Sequence, residues 1–219
     1  MSAAIAAHEP AIVYLAYPNN PTANLWDAAV IRRLIAQVSA YGGLVVMDEA
    51  YQPFSSRSWL DEIRRDPAAN AQVLLMRTLS KFGLAGVRLG YMIGPKALVA
   101  EIDKVRPPYN ISVLNYECAL FALEHASVFA RQAQTLREER TRLQRELAAM
   151  PGVQPFPSEA NMILVRVPDA AKAFDGLKAH KVLVKNISKM HPLMANCLRL
   201  TVGTPQENTL MLAALKESL

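Results

Sequence analysis

The sequence predicts an α/β fold, a mostly parallel sheet with flanking helices that gives way to a small α+β domain. Three observations carry that expectation. Uninterrupted apolar runs at residues 12–16, 44–47 and 73–76 have the length and composition of strands buried on both faces, and helical periodicity fills the stretches between them. Each run leads into a polar residue able to bind or react (Asn20, Asp48, Lys81), as strands do where a parallel sheet presents its carboxyl ends to a ligand. Beyond Pro95 the pattern changes to longer helices and shorter strands, which suits a second layer with a core of its own.

Residues 12–16 run into Pro18 and Pro21, so they read as a strand entering a loop. From 26 to 40, Val30, Leu34, Ile35 and Val38 recur on one helical face, and Gly42-Gly43 punctuates. The run at 44–47 ends at Asp48, and the run at 73–76 ends at Thr78-Leu79-Ser80-Lys81. Residues 87–93, with Gly90 and Gly94, make a fourth apolar segment. A helix at 97–105 stops at Pro107-Pro108, an apolar helix follows at 115–125, and a long amphipathic one at 127–150 ends at Pro151-Gly152. Strands are expected at 162–167, 182–185 and 198–202, with helices at 170–180 and 205–219. The change of pattern divides the chain into domains 1–106 and 107–219.

The 219 residues are 52% hydrophobic and 20% charged, a composition that supports a globular core. The net charge of +5 is scattered. With no basic block interleaved with aromatics, it argues against nucleic acid, while a modest positive field suits phosphorylated ligands. No apolar run reaches the length of a membrane span, and residues 1–10 lack the basic start and apolar centre of a signal peptide. Cys118 and Cys197 lie far apart in apolar runs without metal-ligand spacing. No metal site is read, and both thiols are expected to be buried and reduced, as in a cytoplasmic protein.

The candidate chemistry gathers around Lys81. Alone, a lysine at a strand end is a solvated charge, and an aspartate there is a turn cap. Thr78 and Ser80 hydroxyls commonly bond their own turn, and Tyr51 is equally a packing residue. In company the set reads differently. Lys81 supplies an amine that can bond a carbonyl carbon. Asp48 can hold a protonated ring nitrogen. Tyr51 and Asn20 can donate to a phenolate oxygen. Arg88 can clamp a phosphate with two parallel donors, with Thr78 and Ser80 adding hydroxyls. Arg199, in the middle of an apolar strand, needs a partner there, either a structural carboxylate or an anionic ligand. Asn161, just before one strand, and Lys185, at the end of another, are further candidates for that ligand.

In order and spacing these residues resemble pyridoxal-phosphate-dependent aminotransferases of fold type I, and most closely the histidinol-phosphate aminotransferase family. The resemblance rests on Tyr17-Pro18-Asn19-Asn20-Pro21-Thr22, Asp48-Glu49-Ala50-Tyr51, residues 77–91, Arg106-Pro107-Pro108-Tyr109-Asn110 and residues 198–204. It implies that Lys81 bonds pyridoxal 5'-phosphate and shuttles protons, Asp48 pairs with the ring nitrogen, and Tyr51 and Asn20 bind the ring oxygen. Ser80 and Arg88, with Thr78, would hold the cofactor phosphate. Arg199, with Lys185 and Asn161 on the substrate side, would bind the phosphate of L-histidinol phosphate or the carboxylate of 2-oxoglutarate and glutamate. The implied reaction transfers an amino group between those substrates in histidine biosynthesis, in a cytoplasmic homodimer.

Three departures from the family pattern carry expectations of their own. Ala23 stands where many relatives have glycine, so the loop is expected to be re-aimed, because alanine adopts positive φ at a cost. The interval from Lys81 to Arg88 is one residue shorter than in much of the family, so that loop is expected to be tight. Relatives also carry a substantial segment before the first strand. The large domain is therefore expected to be partial and N-terminally truncated, with an open sheet edge and little turnover by the chain alone. A non-catalytic remnant, an aromatic aminotransferase and a threonine-phosphate decarboxylase of the same fold remain as alternatives.

Overall fold

The strands β1 (Ile12–Ala16), β2 (Leu44–Asp48), β3 (Val73–Thr78) and β4 (Gly90–Ile93) form one sheet in that order. The first three are parallel, with Ala16 opposite Asp48 and Asp48 opposite Met76, so their carboxyl ends lie level. β4 returns antiparallel, with Gly90 opposite Thr78. The expected parallel arrangement stops there because residues 79–89 hold only short 3-10 turns, and a parallel neighbour needs a crossover of a dozen residues or more. The computed structural model describes residues 1–219, which fall into two units, Met1–Asn19 with Leu25–Ala130 and Asn20–Asn24 with Arg131–Leu219.

In the first unit, α1 (Ser2–His8) precedes β1, and α2 (Ala28–Ser39) connects β1 to β2. Asp27 caps α2 by accepting from Ala29 N and Val30 N at 2.8 and 3.0 Å, which satisfies two of the orphan donors of its first turn. Ile31, Leu34, Ile35 and Val38 face inward and pack with Leu15, Val45, Met47, Val73 and Leu75 of the sheet. α3 (Trp59–Arg65), which sequence reading passed over, starts at Ser58, whose side chain accepts from Leu60 N. Its Trp59 is 1% exposed.

α4 (Lys96–Asp103), α5 (Val113–Glu124) and α6 (Ala126–Ala148) follow, and the division between units falls inside α6. The boundary expected at residue 106 thus lies within the first unit. Phe129 stays with that unit because its ring packs 4.9 Å from that of Phe82. α5 buries only Ala119 and Ala122. The expectation for Cys118 is corrected accordingly: it sits on the exposed side of α5, while Cys197 is buried.

The second unit has the strands β5 (Gln154–Pro155), β6 (Met162–Arg166), β7 (Lys185–Asn186) and β8 (Cys197–Thr201), all antiparallel, in the order β5-β6-β8-β7. The strand expected at 182–185 is reduced to β7. Alternation sorts β6 and β8 into two faces. Ile163, Val165, Leu198 and Leu200 join Leu143 and Leu147 of α6, Leu177 of α7 (Ala170–Ala179) and Leu215 of α8 (Pro205–Ser218) in the main core. Leu164 and Cys197 join Ile187 in a smaller cluster. α8 begins with a capping box between Thr204 and Glu207. No helix of either unit is long and apolar enough to cross a membrane.

Candidate active site

In the first unit, the carboxyl ends of β2 and β3 bring together Asp48, Tyr51, Thr78, Ser80, Lys81 and Arg88. Asp48 is the last residue of β2. Its Oδ1 accepts from Ala50 N at 2.9 Å, an Asx turn of the kind expected of an aspartate there, while Oδ2 is left for another donor. Tyr51 caps the 3-10 turn that follows, at Gln52–Phe54. Lys81 closes the 3-10 turn Leu79–Lys81 after β3. Its Nζ lies 5.4 Å from the centroid of the Tyr51 ring, within cation–π reach, and pairs with no carboxylate.

Thr78 makes the turn bonds that a hydroxyl at a strand end commonly makes. Its Oγ1 accepts from Ser80 N at 3.0 Å and donates to Leu89 O at 3.3 Å. The hydroxyl is thus bonded to the backbone on both sides, and Thr78 shapes the turn that presents Lys81. Ser80 and Arg88 do meet, with Arg88 Nη1 donating to Ser80 Oγ at 3.2 Å and to Ala85 O at 3.3 Å. Arg88 takes a left-handed backbone (φ 54°) after the turn Ala85–Val87, and Gly83 has φ 116°. These two left-handed positions reverse the chain within the interval from Lys81 to Arg88.

In the second unit, Asn20 meets Arg199, whose Nη1 donates to Asn20 Oδ1 at 2.8 Å. Arg199 lies on the face of β8 away from the main core, and its Nε is buried without a partner. No carboxylate pairs with it, so the structural ion pair considered from sequence is not what holds it. Lys185 is the direct cross-strand partner of Arg199. Like charges opposite one another on a sheet repel, so the pair offers a place for an anion. Asn161 is not brought to them. It precedes β6, three positions before the Leu164 that pairs with Arg199, about 10 Å of strand away.

Ala23 itself adopts the left-handed conformation, with φ 60°, and is fully buried, and its carbonyl accepts from Glu159 N at 2.7 Å. Sequence reading also passed over Glu49 and Arg77, which form an ion pair in which Glu49 is buried and Arg77 half-buried. The signal was a carboxylate directly after an apolar strand, at a position that demands a cation.

An amine free of counter-charge, a carboxylate at the adjacent strand end and a guanidinium–hydroxyl pair fit a ligand that carries a carbonyl, a basic ring and a phosphate. The family profile of aminotransferase class I and II matches residues 1–215, and the chain belongs to that family. It is 69% identical over 220 residues to the histidinol-phosphate aminotransferase of Acidovorax sp. strain JS42, covering 100% of this chain and 60% of that one. It is likewise 69% identical over 219 residues to that of Polaromonas naphthalenivorans, covering 100% and 59%. The chain thus spans about 60% of the length of the curated relatives it matches.

Among solved structures, histidinol-phosphate aminotransferase from Sinorhizobium meliloti in complex with pyridoxal-5'-phosphate matches with a TM-score of 0.81 at 28% identity, over 99% of this chain and 59% of that one. L-threonine-O-3-phosphate decarboxylase from Porphyromonas gingivalis matches at 0.77 and 23%, over 94% and 63%, a likeness of fold alone.

Proposed function

We propose that this chain carries the cofactor and substrate residues of a histidinol-phosphate aminotransferase, which transfers an amino group between L-histidinol phosphate and 2-oxoglutarate. The observation that carries the reading is the Lys81 amine, unpaired, over the Tyr51 ring at the end of β3. The identity to named histidinol-phosphate aminotransferases supports the choice of substrate over the aromatic and decarboxylase alternatives. We further read the protein as cytoplasmic and homodimeric, as the family resemblance implies.

Pyridoxal phosphate, when bound, supplies an aldehyde that captures amines and a ring that accepts electrons from the substrate carbon. The residues present fit it. Lys81 Nζ would bond the aldehyde carbon and, once released by the incoming amine, would take the proton from the substrate Cα. Asp48 Oδ2 would hold the ring nitrogen in its protonated form by charge. Tyr51 would hydrogen-bond the ring oxygen, a role the family resemblance also implies for Asn20. Ser80 Oγ and Arg88 would hold the phosphate with charge-assisted bonds. Arg199 and Lys185 would bind the substrate's anionic group, with Arg199 Nε gaining its missing acceptor. Asn161 would lie farther along the same sheet.

The test is spectroscopic. Protein loaded with pyridoxal phosphate and freed of excess should keep a near-visible band that Lys81→Ala lacks. L-histidinol phosphate should change that band at concentrations where L-phenylalanine and L-threonine phosphate do not. A band that responds best to either competitor would move the reading to that alternative. A protein that takes up no cofactor would favour a non-catalytic family member.

A further inference from the structure

Glu49 is 1% exposed, at the residue directly after Asp48, and Arg77 directly precedes Thr78 in β3. Glu49 Oε2 accepts from Arg77 Nε at 3.0 Å and Nη2 at 2.9 Å. Oε1 accepts from Trp59 N at 2.5 Å, at the start of α3. Ser58 Oγ lies 3.0 Å from both carboxylate oxygens, and Arg77 Nη2 donates to it at 2.9 Å. The backbone repeats the tie, since Glu49 N donates to Met76 O at 2.8 Å. Burial works against the charge of Arg77, but hydrogen bonds to Tyr91 and Glu49 outweigh it and raise the guanidinium's pKa.

An ion pair whose carboxylate is buried is a poor source of stability, because desolvation offsets much of the attraction, and the best-attested use of such a pair is to fix register. This one joins β2 to β3 one residue beyond Asp48 and four residues before Lys81. Two donors on one edge of the guanidinium converge on a single carboxylate oxygen, which makes the join directional, and a lysine in place of Arg77 would keep the charge but not that two-donor edge. We propose that Glu49 and Arg77 are positioning residues that set the spacing of Asp48 and Lys81 across the ends of β2 and β3. Neither touches the reacting groups. They act through the two turns that start from the strands they join. The inference rests on the reading of Lys81 as the cofactor-binding amine.

Arg77→Lys and Glu49→Gln test it, with hydrogen exchange measured on the protein and its pyridoxal phosphate absorbance titrated with pH. In Arg77→Lys, amides at residues 48–51 and 78–82 should exchange on the order of tenfold faster while α2 stays protected. The pH midpoint of the bound cofactor's band should also shift from that of the parent. Unchanged exchange at both turns, or a rise spread equally through α2, would overturn the proposal, as would an unmoved titration in a folded Arg77→Lys. If Glu49→Gln does not fold, Arg77→Lys decides alone. If the parent protein takes up no cofactor, the reading of Lys81 fails, and exchange still decides whether the pair fixes the strand ends.

Discussion

At Ala23 a buried methyl group sits on a left-handed backbone, where an L-residue costs about 1–2 kcal/mol. Glycine would remove that cost. It would also lose about 0.8 kcal/mol of methyl burial and about 0.4–1 kcal/mol through the freer unfolded chain. The opposing effects nearly cancel, so Ala23→Gly is expected to change stability by less than about 1 kcal/mol, read from the urea midpoint. A gain above about 2 kcal/mol would mean that real strain is held there. Asp48→Asn is a second test at this scale. Asparagine preserves the Asx turn to Ala50 N but removes the charge that keeps a ring nitrogen protonated. In an enzyme completed to the length of its relatives, turnover should fall far more than cofactor occupancy, and equal losses of both would contradict the electronic role of Asp48.

Lys81, Asp48, Ser80 and Arg88 could be singled out as candidates in the sequence because their side chains have few other uses in that order. The part of Thr78 was not legible, because a hydroxyl serves a turn or a ligand equally well and only coordinates show where its proton goes. Asn20 could be named as a candidate, but its contact with Arg199 joins positions far apart in sequence and left no local trace.

Among the elements, β8 shows how a period-2 pattern hides a charge. Leu198 and Leu200 face the main core, and Arg199 faces the other side with Lys185, so the strand reads as apolar although only one face is. α2 was legible because its cap and its inward positions agree. α3 was missed because it is short, and β4 could not be oriented from sequence, since direction depends on the length of a connection that contained no regular helix.

The contact between α6 and α8 carries a prediction about pH. Hydrogen bonds from Arg142 hold the Glu139 carboxyl below its ordinary value of 4.5, against the opposing effect of burial and with help from Asn208. A carboxyl with a depressed folded pKa adds stability that is fully present above the unfolded value and is lost as pH falls through the folded one. The urea midpoint should therefore drop as the pH falls below the ordinary carboxyl value of 4.5, and Glu139→Gln should flatten that drop. An identical slope in both proteins would show that Glu139 is not a source of the acid sensitivity.

For the whole molecule, the division into units was the least legible feature. Residues Asn20–Asn24 join the second unit, and the Ala23–Glu159 backbone bond that ties them there links positions with no shared pattern. The change of composition near Pro107 marked the start of different helices, not the end of the first unit. Segment 105–123 exposes Val105, Tyr109, Val113, Leu114 and Phe121, and an apolar surface of that kind binds hydrophobic dyes. The chain at neutral pH should enhance anilinonaphthalene sulfonate fluorescence, and Leu114→Lys combined with Phe121→Glu should lower that signal by roughly half without altering the far-UV circular dichroism. An unchanged signal would place the dye elsewhere.

The direct test of the account as a whole is the site of covalent attachment. After incubation with pyridoxal phosphate, borohydride reduction and digestion, the mass label should lie on the peptide carrying Lys81 in the parent and in Asp48→Asn, and should vanish in Lys81→Ala. A label distributed over exposed lysines in proportion to their accessibility, and indifferent to Lys81→Ala, would contradict it.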